Sequence, residues 1–210
     1  MAADKKTKLA APETPPKLAA LVREAWWIGL VTLGVFLALI LVTYNLADAG
    51  FSRTGSSAAP RNAGGALGAW LSDVLLAVFG FSAWWLVILL FATAIRSFRR
   101  IEVPGLIDRR SLAVAGIGFL MTLAASCALE ALRLQSWEVT LPSAHGGIVG
   151  NVLGTGLFKI LGFTGATLIL VVLLAIGISL FSGLSWLGVA ERCGKALEMF
   201  SVWLPAQIQA

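Results

Sequence analysis

Residues 26–45 read WWIGLVTLGVFLALILVTYN, twenty consecutive positions without a charged side chain. At 1.5 Å per residue, a helix of that length is about 30 Å long, the thickness of a bilayer's hydrocarbon core. Three comparable runs follow: Asp73–Ile95, Leu112–Ala131 and Leu161–Leu184. Composition agrees, with 58% hydrophobic residues, 13% charged and a mean hydropathy of +0.87, too little polar surface for a water-soluble chain of 210 residues. The predicted class is an all-α membrane protein with four transmembrane helices. Its 22 glycines suit helices that pack by close backbone approach.

The net charge of +5 would fit a nucleic-acid partner, but its placement fits membrane topology. Twelve of the sixteen basic residues fall in three blocks: Lys5, Lys6, Lys8, Lys17 and Arg23; Arg96, Arg99, Arg100, Arg109 and Arg110; Arg192 and Lys195. Arg53, Arg61, Arg133 and Lys159 are the other four. By the positive-inside rule both termini are expected in the cytoplasm. Residues 1–20 resemble the start of a signal peptide, with Ala47-Asp48-Ala49 as a possible cleavage site, yet the first apolar run exceeds the roughly 7–15 residues of a signal h-region. A retained signal anchor is expected.

Three regions are predicted. Residues 1–20 form a cytoplasmic leader in which Pro12, Pro15 and Pro16 oppose a stable helix, 21–184 form the four-span unit, and 185–210 form a cytoplasmic amphipathic segment. In the last, Trp186, Ala190, Cys193, Leu197, Phe200 and Leu204 recur at spacings of four and three, Glu191 and Lys195 form an i, i+4 pair, and Pro205 ends the pattern. That face would lie on the membrane surface or in an oligomer contact. Loop 48–64, with Gly50, Gly55, Ser56, Ser57 and Pro60, reads as turn and coil without a core of its own.

Shifting the chain by 82 residues aligns Gly64-Gly65 with Gly146-Gly147, Gly68 with Gly150, and Gly80-Phe81 with Gly162-Phe163, giving eight identities in the 23 positions 64–86. Either a structural duplication or shared membrane composition produces such a match. A duplication predicts two similar hairpins, with short Gly-rich outer segments 66–79 and 148–161 that either extend the spans or lie at the interface. Gly80 and Gly162 are the expected bends.

Few residues offer chemistry. Asp73 is either an ion or proton site or, as Trp70 and the adjoining loop favour, an interfacial carboxylate. Asn151, Thr155 and Lys159 form a polar stripe, and Lys159 could pair with Asp73 or Glu130. Gly146, Gly150 and Gly154 provide small-xxx-small steps for packing within or between chains. His145 sits in a Pro/Ser/Gly loop, a solvated position rather than a catalytic one, and Cys127 and Cys193 are too far apart in topology to pair. The Gly188–Lys195 segment fails as a phosphate loop, because five residues separate Gly188 from Gly194 and Ala196 replaces the magnesium-binding hydroxyl. No self-contained enzyme, cofactor site or metal site is expected in this chain.

Tyr44-Asn45, Asp48, Phe51-Ser52, Asn62-Ala63-Gly64-Gly65 and Gly68-Ala69-Trp70-Leu71-Ser72-Asp73, together with Leu141-Pro142, Gly146-Gly147 and Gly150, resemble the four-helix membrane domain of FtsK-type bacterial DNA translocases. The likeness covers about Leu21–Trp186, with Leu46 and Ala49 where that family often has prolines. It implies an inner-membrane anchor at the division septum that contacts division proteins. It also implies a cytoplasmic C-terminus leading through a linker to a hexameric motor, to which ATP, magnesium and DNA would belong. The competing expectation is a small transporter or channel, which would place facing ionisable groups at mid-bilayer. A lipid-processing enzyme would need a nucleophile and base that the lone histidine does not supply.

Overall fold

The computed structural model describes residues 16–55, 59–102, 109–134 and 141–195. Among the described residues there is no strand. The elements are α1 (Pro16–Val42), α2 (Gly65–Phe79), a 3-10 turn (Gly80–Ala83), α3 (Trp84–Glu102), α4 (Arg109–Arg133) and α5 (Gly147–Ser182). Four stretches are long and apolar enough to cross a membrane: Leu21–Val42, Gly65–Phe98, Leu112–Arg133 and Gly147–Ser182. Their most apolar windows are only 17–39% buried, so most of their hydrophobic surface points away from the protein, as lipid requires.

The ends depart from expectation. α1 starts at Pro16, inside the leader expected to resist helix, because proline is tolerated in a first turn whose N–H has no partner. Residues 1–15 lie outside the described residues, as do Leu197, Phe200, Leu204 and Pro205 of the amphipathic pattern. Residues 186–195 are helical and exposed or nearly so, and Lys195 Nζ meets Glu191 at 2.7 Å.

Two antiparallel pairs make the bundle. α3 runs back along α1: Phe98 meets Trp27 with ring centroids 5.6 Å apart, Phe91 packs on Gly34, and Ala83 and Val87 join Leu37, Ile40 and Leu41 in a buried cluster. Residues 163–182 of α5 run back along α4, with Leu170 between Ala125 and Ala128 and Phe181 on Phe119. Glycine permits this second pairing at backbone range. A Cβ at Gly177 would stand 2.7 Å from the Thr122 nitrogen, and one at Gly118 2.5 Å from the Phe181 nitrogen. α1 begins and α5 ends at one end of the bundle, here called proximal; α1 and α4 end at the other, called distal.

At the distal end, two helical segments run across the bundle rather than along it. α2 opens against Ile40, whose Cγ2 would lie 2.5 Å from a Cβ at Gly64 and 2.8 Å from one at Gly68. It closes at the turn containing Ala83, which shares a buried cluster with that same Ile40. Fifteen residues of helix, about 22 Å, thus start and finish near one level of α1. In the second pair, Gly146 and Gly150 lie on the Cys127 carbonyl, while Phe163 lies 4.2 Å from the Arg133 guanidinium. From position 127 to 133 α4 climbs only about 9 Å, against about 22 Å of helix in residues 147–161. Helix geometry lapses at the far end of both segments, at Gly80 (φ 62°, ψ −147°) and Gly162 (φ 66°, ψ −179°), conformations that L-residues with a Cβ resist.

Candidate functional site

Seven polar side chains are buried among the described residues: Asp48, Asn62, Ser72, Asp73, Ser82, Thr122 and Glu130. A buried polar group must find partners or lose its hydration uncompensated, and among the described residues no buried side-chain donor or acceptor is left without one. Six of the seven gather at the distal end in two assemblies.

The first assembly is the 45–64 loop. Asn45 starts it with an Asx turn, its Oδ1 accepting from Ala47 N at 2.9 Å. The Asp48 carboxyl, 3% exposed, accepts the amides of Arg61 and Asn62, both at 2.8 Å, and so closes the loop on itself. Asn62 Nδ2 then donates to the Ile40 carbonyl in the last turn of α1 at 2.9 Å, and its Oδ1 accepts Gly64 N at 2.9 Å where α2 opens. Asp73, 2% exposed, binds the loop from α2: Ser52 N donates at 2.6 Å, while Ser52 Oγ and Tyr44 OH each donate at 3.0 Å. Arg53 Nε stands 4.0 Å away. Burial pushes the Tyr44 phenol well above its ordinary pKa, and the hydrogen bond and charge of Asp73 add to the shift. Residues 45–55 and 59–64 are turn and coil, as the Gly and Ser content implies, but they do have a core, made of carboxyl and amide groups instead of apolar side chains. On their surface Phe51 meets Trp70 edge-on at 6.5 Å, both exposed.

The second assembly joins the two helix pairs. Where α2 breaks at Gly80, the Glu130 carboxyl of α4 accepts Phe81 N (2.8 Å), Ser82 N (3.0 Å) and Ser82 Oγ (3.0 Å). Those are amides that the break frees from helical partners. Ser126, one turn earlier, meets Ser82 Oγ at 2.8 Å and accepts Trp85 Nε1 at 3.1 Å, and Cys127 Sγ donates to the Phe79 carbonyl at 3.3 Å. Only glycine fits beside them: a Cβ at Gly80 would meet Gly146 N at 2.6 Å, and one at Gly147 the Val78 oxygen at 2.4 Å. At the proximal end Arg96 makes the matching link. Its guanidinium donates to the Phe181 carbonyl, which ends α5, and lies 5.1 Å from the Phe181 ring.

The other sequence-derived positions lie as follows. Lys159, Asn151 and Thr155 are exposed, Thr155 Oγ1 bonding back to the Asn151 carbonyl. Among the described residues no ion pair joins Lys159 to Asp73 or Glu130, because those carboxyl groups are enclosed by donors from the first 85 residues. Gly146, Gly150 and Gly154 face α4 within the chain, with a Cβ at Gly150 only 2.2 Å from the Cys127 oxygen. Cys127 is buried and Cys193 exposed, both free. Reading the sequence alone missed Asn62, Ser82, Ser126 and Arg96 as joints. The signal available for Ser82 was its place directly after the Gly-Phe step.

Comparison with known proteins places these features. Residues 19–194 match the family described as the 4TM region of DNA translocase FtsK/SpoIIIE. The chain is similar to DNA translocase FtsK 2 of Ralstonia nicotianae, 39% identical over 193 residues, which are 90% of this chain and 25% of that protein. It is also similar to DNA translocase FtsK of Pseudomonas syringae pv. syringae, 31% identical over 184 residues (87% and 23%). DNA translocase FtsK of Shewanella oneidensis is 30% identical over 177 residues (84% and 19%). The chain therefore spans about a quarter or less of the length of these relatives. No solved structure matches it.

Proposed function

Because this chain belongs to the DNA translocase FtsK/SpoIIIE family, as the 4TM region of such a protein, we propose that it anchors a DNA-translocating motor in the bacterial cytoplasmic membrane. The observation that carries this reading is the way buried polar groups are used. Asp73 and Glu130 are each enclosed by at least three donors of the chain itself, the chemistry of fixed joints. A transporter would keep such groups free to exchange a substrate or proton.

In this proposal both termini are cytoplasmic. The basic residues Arg96, Arg99, Arg100, Arg109 and Arg110 flank the α3–α4 connection at the proximal end, where α1 starts and α5 finishes. The two pairs are repeated hairpins. Gly65 and Gly147 share φ of 66° and 62°, Gly80 and Gly162 share 62° and 66°, and two glycines one turn apart receive the preceding span in each half. The distal loop and the exposed helix sides contact division proteins at the septum. A motor following on the cytoplasmic side, with ATP, magnesium and DNA, assembles as a homo-oligomer, a hexamer by family resemblance. The chain contributes position and no catalytic group.

A fluorescent fusion of residues 1–210, followed by microscopy and membrane fractionation, tests this. The expected result is a membrane-bound protein enriched at mid-cell. Even labelling around the cell would refute septal placement, and recovery in the soluble fraction would refute the anchor. Substrate uptake by reconstituted vesicles that Asp73→Asn abolishes would favour the transporter instead.

A further inference from the structure

The two crossing segments, α2 and residues 147–161 of α5, each expose an apolar side, and under the 82-residue shift Trp70 falls on Val152 and Leu71 on Leu153. On α2 that side holds Leu67 (70% exposed), Trp70 and the half-buried Leu71 and Val74; on α5 it holds Val152, Leu153 and Ile160 (81% exposed). The position that Asp73 occupies on α2 falls on Thr155 under the 82-residue shift, and Thr155 belongs to the exposed Asn151, Thr155, Lys159 stripe. Asp73 is covered by the distal loop, so that side of each segment faces away from the bundle, and the apolar side faces laterally.

The apolar stretches that contain these segments are longer than a bilayer is thick. Gly65–Phe98 has 34 residues and Gly147–Ser182 has 36, about 51 and 54 Å if straight, against a hydrocarbon core of about 30 Å. The breaks at Gly80 and Gly162 turn the surplus, roughly one crossing segment in each, across the distal end and keep its apolar side chains within reach of lipid.

We propose that α2 and residues 147–161 are re-entrant helices sunk in the distal leaflet, which is the outer leaflet in the orientation given above. Leu67, Trp70, Val152 and Ile160 contact phospholipid acyl chains, and Lys159 stands at the phosphate level. The partner of these faces is lipid. The cross-section is wider in that leaflet, where two crossing helices are added to four spans. This inference rests on the membrane reading and refines it.

The test places a depth-sensitive fluorophore at single cysteines, Leu67→Cys, Val74→Cys, Val152→Cys and Ile160→Cys, in a Cys193→Ser background, with buried Cys127 retained. The whole chain is reconstituted in phosphatidylcholine–phosphatidylglycerol vesicles, and quenching by lipids spin-labelled at different depths is measured. Val114→Cys and Leu120→Cys on α4 serve as controls, separated by about 9 Å of helix rise. The expected result is lipid quenching at all four sites, with positions 67 and 74 within about 5 Å of one depth and 152 and 160 likewise, while the controls differ by their full rise. Depth differences of about 10 and 12 Å would overturn the proposal, since the segments would then stand upright. Quenching of the four sites by aqueous iodide alone, with the controls still in lipid, would also overturn it, making those faces water-exposed or bound to protein. Controls that lipid fails to quench would instead overturn the underlying membrane reading.

Discussion

The α2–turn segment and the first limb of α5 share a backbone device but differ in what surrounds it. Both open on a glycine of positive φ and both break at one, Gly80 and Gly162, with φ within a few degrees of each other. Yet a Cβ at Gly80 would strike Gly146 and Glu130, whereas nothing lies within 4 Å of one at Gly162. Glu130 accepts the two amides freed at the first break, and Asp73 fastens a loop over α2. The second limb leaves Asn151, Thr155 and Lys159 exposed. Local sequence can specify a bend, but whether that bend is locked depends on groups far along the chain.

The two hinges should differ most in their response to one added methyl group. Gly80→Ala combines left-handed strain with a backbone clash and should destabilise by roughly 4 kcal/mol, whereas Gly162→Ala meets strain alone, roughly 1–2 kcal/mol. Unfolding in mixed micelles would read the difference, and equal costs would mean that the first hinge is no more enclosed than the second. Next in size, Glu130→Ala strands the Phe81 and Ser82 amides and should cost about 3 kcal/mol, while Thr155→Ala on the open limb should cost under about 0.5 kcal/mol.

Asp73→Ala releases the loop without touching the Glu130 joint. Hydrogen exchange at the Ser52 amide should accelerate about thirtyfold, the equivalent of about 2 kcal/mol, with Phe81 and Ser82 unchanged. Acceleration at all three would show that the assemblies act as one. The smallest effect is alkaline. Tyr44 is the one tyrosine, so phenolate absorbance reports it alone. Its folded pKa is raised, so the stability it contributes is complete below the unfolded value near pH 10 and is lost as pH climbs through the folded value. Titration should begin above the usual tyrosine range and move part of the way back toward it in Asp73→Ala, the contribution of burial remaining.

Much of the architecture was legible because lipid demands uninterrupted apolar runs, and those of 26–45 and 112–131 have few rivals as anything but spans. The motif from Asn62 to Asp73 carried the family. The joints were harder to read. Asp73 could be placed near the end of a span, but its shortest bond comes from the backbone amide of Ser52, and an amide leaves no mark in a sequence. Lys159 looked like a partner for Glu130 because opposite charges invite pairing, yet two main-chain N–H groups fill that carboxyl first. Arg96 was counted only as a topological charge, although it also caps α5. Gly118 and Gly177 escaped notice because two isolated glycines on different helices form no periodic signal.

Arg96 grips α5 at the point where the chain leaves it, and Trp186 folds back to the Ala175 carbonyl just beyond. The last turns of α5 are therefore held on three sides: Thr122 and Gly118 on one flank, α3 at the tip, and its own following residues folded back. A load along the axis of α5 would have to slide these contacts together in shear instead of opening them one at a time like a zipper.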